Sequence, residues 1–355
     1  MSPEQGLKMT FNLLNRSENL NYKERRKKML AIEIGFGDVK VIGEEIKFKF
    51  PTVLAYGDNG VLRGWNEENK FYYFRGKSYI VGKEALAHSE MFSSRAPEFL
   101  IEFAPLFLYK AFEYAGRKSD TIALGLAVGY YSAKDKLMRR VRSFEVSGER
   151  VEILNCSVFP QAVGIWFDWS SNNREKTHRN YMILDIGFNT VDVIFIKNGQ
   201  VSKEGSWMLD GEGIIKVVNH LADQIQQRVG VGLTSHVAKS LLEDKSITVY
   251  GKERSLERII AKLSSSYSER LFSILEQRCR EEFRNVDGII VGGGGAYYVR
   301  DSIPKRLRNL VEILEEPGFA NARGFYKFLR AKGGKNENTD QQRVGEDYKE
   351  PEATV

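Results

Sequence analysis

The chain has 355 residues, of which 42% are apolar, with a formal charge of +6 and two cysteines, Cys156 and Cys279. Its length suits two domains or one extended domain. No run approaches the about 18 uninterrupted apolar residues of a membrane span, and two distant cysteines supply neither a disulfide framework nor a zinc site, which fits a reducing cytoplasm.

The excess charge is local. Residues 1–28 carry seven Lys/Arg against three Asp/Glu, so the rest of the chain is nearly neutral and gives little support to a nucleic-acid-binding surface. KERRKK, just before Met29, reads either as a basic arm for DNA or lipid, or as a translated ribosome-binding sequence ahead of the native start. No apolar stretch before a small-residue cleavage site marks 1–28 as a secretion signal.

From Met29 to Gly43, two alternating runs flank a glycine turn, which predicts a β-hairpin. Strands are expected next in IKFKFPTVLAYG, FYYFRGKSYIVG and TIALGLAVG. Between them, 97–116 has apolar residues at helical spacing and ends on Gly116, a C-cap. A second helix is expected from Lys134 through KDKLMRRVRSF. VEILNCSVFPQAVGIWF reads as a strand, a turn at Pro160 and a helix that the proline starts. The polar segment 170–180 marks a boundary.

The second half opens with YMILDIGFNTVDVIFIKNGQV, a strand pair with a further hairpin turn at KNG. Helical periodicity covers 211–244 and 253–284; DGIIVGGGGAYYV (287–299) is a buried strand breaking into four glycines, and GFYKFLRA an amphipathic helix. The polar residues 333–355 read as a disordered tail.

EIGFGDVKV (33–41) returns as DIGFNTVDV (185–193), with Ile, Gly, Phe and two Val in register and an acid matched by an acid. Each half therefore begins with one hairpin and continues with strands and helices, the outline of a duplicated α/β unit. A glycine turn leaves successive N–H groups at the hairpin tip and admits an anion close to the backbone. The acids Glu33 and Asp185 would repel a bare phosphate, so the pattern implies a cation between them, for which Mg²⁺ held through water is the usual solution. Two such tips facing across a cleft would grip a triphosphate from both sides. The four glycines at 292–295 read as bare backbone for a flat base or ribose, covered by Tyr297 or Tyr298, rather than as packing. Neither a P-loop nor a dinucleotide fingerprint is present.

With VFPQAVGIWF, IIVGGGGAYYV and EPGFANARGFYKFL added, five motifs in order over roughly 29–331 resemble the actin-fold superfamily of ATPases, and within it the ParM family of plasmid-partition actins. The resemblance implies an α/β, actin-like (ribonuclease H-like) ATPase fold with two similar domains around a nucleotide cleft. These would be 29–168, with a small subdomain at about 44–100, and 181–331, with one at about 211–285, flanked by an extension at 1–28 and a tail at 332–355.

It also implies roles. Asp185 would hold the water shell of Mg²⁺ and Gln161 orient the attacking water, these two forming the catalytic pair. Glu33, where the superfamily has Asp, would act on the metal through water. Nucleotide contacts would come from Gly35, Phe36, Gly37, Asp38 and Lys40, from Gly187, Phe188, Asn189 and Thr190, from Gly211, and from Gly292, Gly293, Gly294, Gly295 and Tyr297. ATP, or GTP, and Mg²⁺ are the implied cofactors. Partners would be further copies of the chain in a filament and an adaptor protein bound to centromere-like plasmid DNA, with no direct sequence-specific DNA binding and no membrane. The alternatives are a monomeric phosphotransferase of the sugar- or acetate-kinase kind, and a cytoskeletal actin homologue not tied to plasmids.

Overall fold

The computed structural model describes residues 29–57, 70–88, 90–116, 118–119 and 121–333. The extension 1–28 and the tail from 334 onward lie outside them. Two five-stranded sheets share one topology. In the first, Met29–Ile34 and Asp38–Gly43 form the hairpin and Ile46–Pro51 extends it antiparallel. On the other side of Met29–Ile34, Thr121–Leu126 and then Asn155–Pro160 add in parallel. In the second, Tyr181–Ile186 and Val191–Lys197 form the hairpin and Gln200–Leu209 extends it. Gly288–Gly292 and Val311–Ile313 add in parallel.

The cross-strand register repeats too. Glu33 faces Lys40 and Ile34 faces Val39 in one hairpin; Asp185 faces Asp192 and Ile186 faces Val191 in the other. Every residue of these four strands except Lys197 is buried. These strands are therefore covered on both faces, although their sequence alternates as a one-faced strand would.

The helix Val163–Ser170 leaves the first sheet and packs Ile165, Trp166 and Trp169 under the second, against Tyr181, Ile183 and Ile290. The helix Ala320–Gly333 leaves the second sheet and packs Phe325, Tyr326 and Leu329 under the first, against Ala31 and Ala123. They cross at glycines, for a Cβ on Gly324 would lie 1.7 Å from the Gly164 carbonyl oxygen. Buried Asp168 staples them, taking Arg323 at 2.6 Å and Lys327 at 2.8 Å.

Some sequence expectations change. The helix from Lys134 stops at Arg142, and Ser143–Val146 pairs with Glu149–Glu152 because Phe144, Val146 and Val151 alternate inward. Ser147 and Gly148 make its turn with φ of 53° and 78°. Pro160 starts no helix: it ends the edge strand Asn155–Pro160, a position where its missing N–H costs nothing. The helical stretch 211–244 breaks at Gly230, φ 78°, into Ile215–Val229 and Ser235–Asp244. The long helix Glu257–Arg278 begins only after the small hairpin Ser246–Val249 and Lys252–Ser255. The KNG turn is as expected, with Asn198 and Gly199 both at positive φ.

Candidate nucleotide site

The two hairpin tips are built alike. The Gly35 N–H donates to the Asp38 carbonyl at 3.1 Å, and the Gly187 N–H to the Thr190 carbonyl at 2.9 Å. These two N–H groups close their own turns, so they are not free for an anion as the hairpin pattern suggested. The tips touch, because a Cβ on Gly37 would come within 2.8 Å of the Phe188 Cβ. Both line one cavity of about 320 Å³, within the usual range of small-molecule sites.

Around that cavity stand Glu33, Gly35, Phe36, Gly37, Asp38, Lys40, Gln161, Asp185, Gly187, Phe188, Thr190, Gly294, Gly295 and Tyr297. Asn189, Gly211, Gly292 and Gly293 do not line it. Asn189 turns inward and donates to Asp210 at 2.8 Å. Gly211 sits at φ 68°, a turn following Gln200–Leu209. A Cβ on Gly292 would meet Ile165 at 2.6 Å, one on Gly293 the Asp185 carboxylate at 2.3 Å, and one on Gly295 Ile186 at 2.4 Å. Close packing therefore accounts for most of the glycine run, contrary to the sequence reading. Gly294, with nothing within 4 Å of a Cβ, is the member that leaves open backbone facing the cavity.

The floor is acidic. Glu33 is 3% exposed; its Oε1 takes Lys40 at 3.1 Å and lies 3.5 Å from the Gln161 amide nitrogen, while its Oε2 is buried with no partner among the described residues. Asp185 accepts from the Asn321 amide at 2.6 Å. Burial, then the nearby Glu33 carboxylate, pushes the Asp185 carboxyl above its usual range. Asp192, opposite it, accepts from the Val128 N–H at 2.6 Å and the Thr190 hydroxyl at 3.2 Å, and burial together with Asp185 raises it well above normal. Burial alone would pull Lys40 down, but Glu33, Asp38 and Asp185 outweigh it and raise its pKa, keeping the ammonium charged.

An orphaned buried carboxylate oxygen beside a carboxyl that ionises reluctantly fits a divalent cation. Among the described residues no group of three metal-type side chains could hold an ion unaided. Mg²⁺ keeps several waters and completes its shell with phosphate oxygens, so one or two protein carboxylates would serve it.

Sequence reasoning missed the cleft's mouth. Lys239 donates to Asp38 at 2.9 Å and pairs with Glu243 at 2.9 Å, and Lys49 pairs with Glu243 at 3.0 Å, so four side chains bridge the two halves. Beside them His236, buried and pushed down to about 4 by burial and Lys239, stacks on Phe188. Asp38 belongs to the first hairpin motif, but no motif flags Lys49, His236, Lys239 or Glu243, and Asn321 was also missed, although its segment was recognised.

Residues 31–164 match the family model for the N-terminal domain of actin-like proteins, and residues 183–305 match that for the C-terminal domain of archaeal MreB-like actin homologues. No curated protein sequence matches the chain. Among solved structures, the archaeal actin homologue Ta0583 is 19% identical with a TM-score of 0.70, over 86% of this chain and 99% of that one. Its complex with ADP is 18% identical with a TM-score of 0.69, over 85% and 99%. A 15-stranded ParM filament from Clostridium botulinum is 20% identical with a TM-score of 0.68, over 86% and 99%. Bacillus thuringiensis ParM with ATP is 15% identical with a TM-score of 0.59, also over 86% and 99%. No helix among the described residues is long and apolar enough to cross a membrane. With both halves matching actin-like models and the whole sharing the fold of ParM and archaeal actin structures, the chain belongs to the actin-like proteins.

Proposed function

We propose that the chain is a cytoplasmic ATPase that binds Mg²⁺ and ATP, or GTP, between two domains, 29–168 and 181–331, assembles into dynamic filaments and segregates plasmid DNA through an adaptor protein. One observation carries the reading: two hairpin tips of equal register close on one cavity whose floor holds buried carboxylates. The ADP complex of the archaeal homologue, the ATP-bound Bacillus thuringiensis ParM and the Clostridium botulinum ParM filament support it by kinship.

In this reading Lys40 would contact the β and γ phosphates, Asp185 and Glu33 would hold the metal through water, and open Gly294 with Tyr297 would accommodate the nucleoside. Bound Mg²⁺ would supply charge neutralisation on the phosphate oxygens. Gln161 orients the attacking water. An amide cannot take that water's proton at neutral pH, so it contributes positioning alone and turnover is slow. The γ-phosphate rewards closure of the halves and its loss releases them, which ties assembly to the nucleotide. A body with little net charge leaves DNA recognition to the adaptor.

Light scattering and pelleting test this with Mg-ATP against Mg-ADP, using chains with and without residues 1–28. The expected result is sedimentation with Mg-ATP that reverses as phosphate is released. Sedimentation unchanged by nucleotide over a wide concentration range would contradict the filament reading.

A further inference from the structure

Asn321 lies in the first turn of Ala320–Gly333 and is 1% exposed. Both ends of its amide are engaged, in different halves of the molecule. Nδ2 donates to Asp185 Oδ2 at 2.6 Å, and Oδ1 accepts from the Ala162 N–H at 3.0 Å. The partners fix the orientation of the amide, since a carboxylate needs a donor and a backbone N–H an acceptor. Ala162 follows Gln161 and sits at φ 69°, where a residue with a Cβ is rarely found unless its surroundings hold it. The Gln161 N–H in turn donates to the Leu126 carbonyl at 2.6 Å. Asn321 itself has little freedom, because the two crossing helices abut at Gly164 and Gly324 and are clamped through Asp168.

We propose that Asn321 is a positioning residue that sets the Gln161 turn and the Asp185 carboxylate relative to each other, so that hydrolysis depends on it and capture of the nucleotide does not. The proposal rests on the roles proposed above for Gln161 and Asp185. A residue acting through another has a distinct signature: its effect shrinks when the other is already gone.

The test is a double-mutant cycle of Asn321→Ala and Gln161→Ala, read by single-turnover ATP hydrolysis and by binding of a fluorescent ADP with and without Mg²⁺. Asn321→Ala is expected to slow hydrolysis at least about tenfold, to leave Mg²⁺-free ADP affinity within about twofold, and to cost less than about threefold when added to Gln161→Ala. Hydrolysis at the parent rate, or effects that multiply in full, overturns the proposal. A parent chain that hydrolyses no nucleotide overturns the underlying reading and this proposal with it. Should Asn321→Ala fail to fold, Asn321→Asp keeps the acceptor for Ala162 and exchanges the donor at Asp185 for a carboxylate. It is expected to slow single-turnover hydrolysis at least about tenfold while leaving Mg²⁺-free ADP affinity within about twofold, and hydrolysis at the parent rate overturns the proposal.

Discussion

The two hairpins share length, register and turn closure, but not charge. Across the first, Glu33 faces Lys40 and the pair is bonded at 3.1 Å; across the second, Asp185 faces Asp192. Like charges directly opposite destabilise a strand pair, and the protein answers with an amide on Asp185 and an N–H and a hydroxyl on Asp192. One copy thus places a charged ammonium beside the cavity. The other sets two buried carboxyls opposite each other, both held above the usual carboxylate range. The frame is common to both hairpins, and one cross-strand position, Lys40 against Asp192, divides them.

The largest effect that would sharpen this division is on hydrolysis. Asp185→Ala is expected to abolish Mg²⁺-dependent ATP hydrolysis, a loss of about 10²-fold or more, whereas Glu33→Gln, at a side chain with one of its two oxygens taken by Lys40, loses about tenfold. Phosphate-release assays on both variants decide it, and equal losses would erase the asymmetry. Next comes stability. Lys40→Met leaves Glu33 buried without its cation and is expected to cost about 3–5 kcal/mol in urea unfolding. Adding Glu33→Gln should recover part of that, and no recovery would mean that the pair is not what Lys40 serves.

The hairpins were legible because everything that defines them lies within nine residues and alternates with period two. The Glu33–Lys40 pair, seven positions apart, follows from the register alone. Asn321 and Lys239 were not legible, since their partners Asp185 and Asp38 lie 136 and 201 positions away and only the assembled sheets bring them together. Pro160 misled because a proline is equally acceptable at a helix start and at the end of an edge strand. The glycine run misled similarly: bare backbone and close packing look identical until Ile165 and Ile186 are seen against it.

A pH comparison probes the second hairpin more gently. Asp185 and Asp192 have folded-state pKa values above the unfolded carboxylate value of about 4. Their contribution is therefore complete below about pH 4 and is lost as pH rises through the folded values, because the unfolded chain ionises first. Asp192→Asn keeps an oxygen for the Val128 N–H and removes one of these groups. Its melting temperature without nucleotide should fall less than the parent's between pH 5 and pH 8, and parallel curves would show that Asp192 does not oppose Asp185. The smallest effect belongs to the cleft's mouth. Lys49 is 44% exposed, so Lys49→Ala should cost under about 1 kcal/mol in urea unfolding, and a larger loss would make that bridge more than a surface contact.

The central claim is that both tips serve one nucleotide. Isothermal titration of a non-hydrolysable ATP analogue with Mg²⁺ into the parent, Gly35→Ala and Gly187→Ala chains tests it most directly, since an added Cβ crowds Asp38 in one tip and Thr190 in the other. One site per chain, weakened about tenfold or more by either substitution, is the predicted result. Two independent sites, or a single site that one of the substitutions leaves untouched, would contradict it.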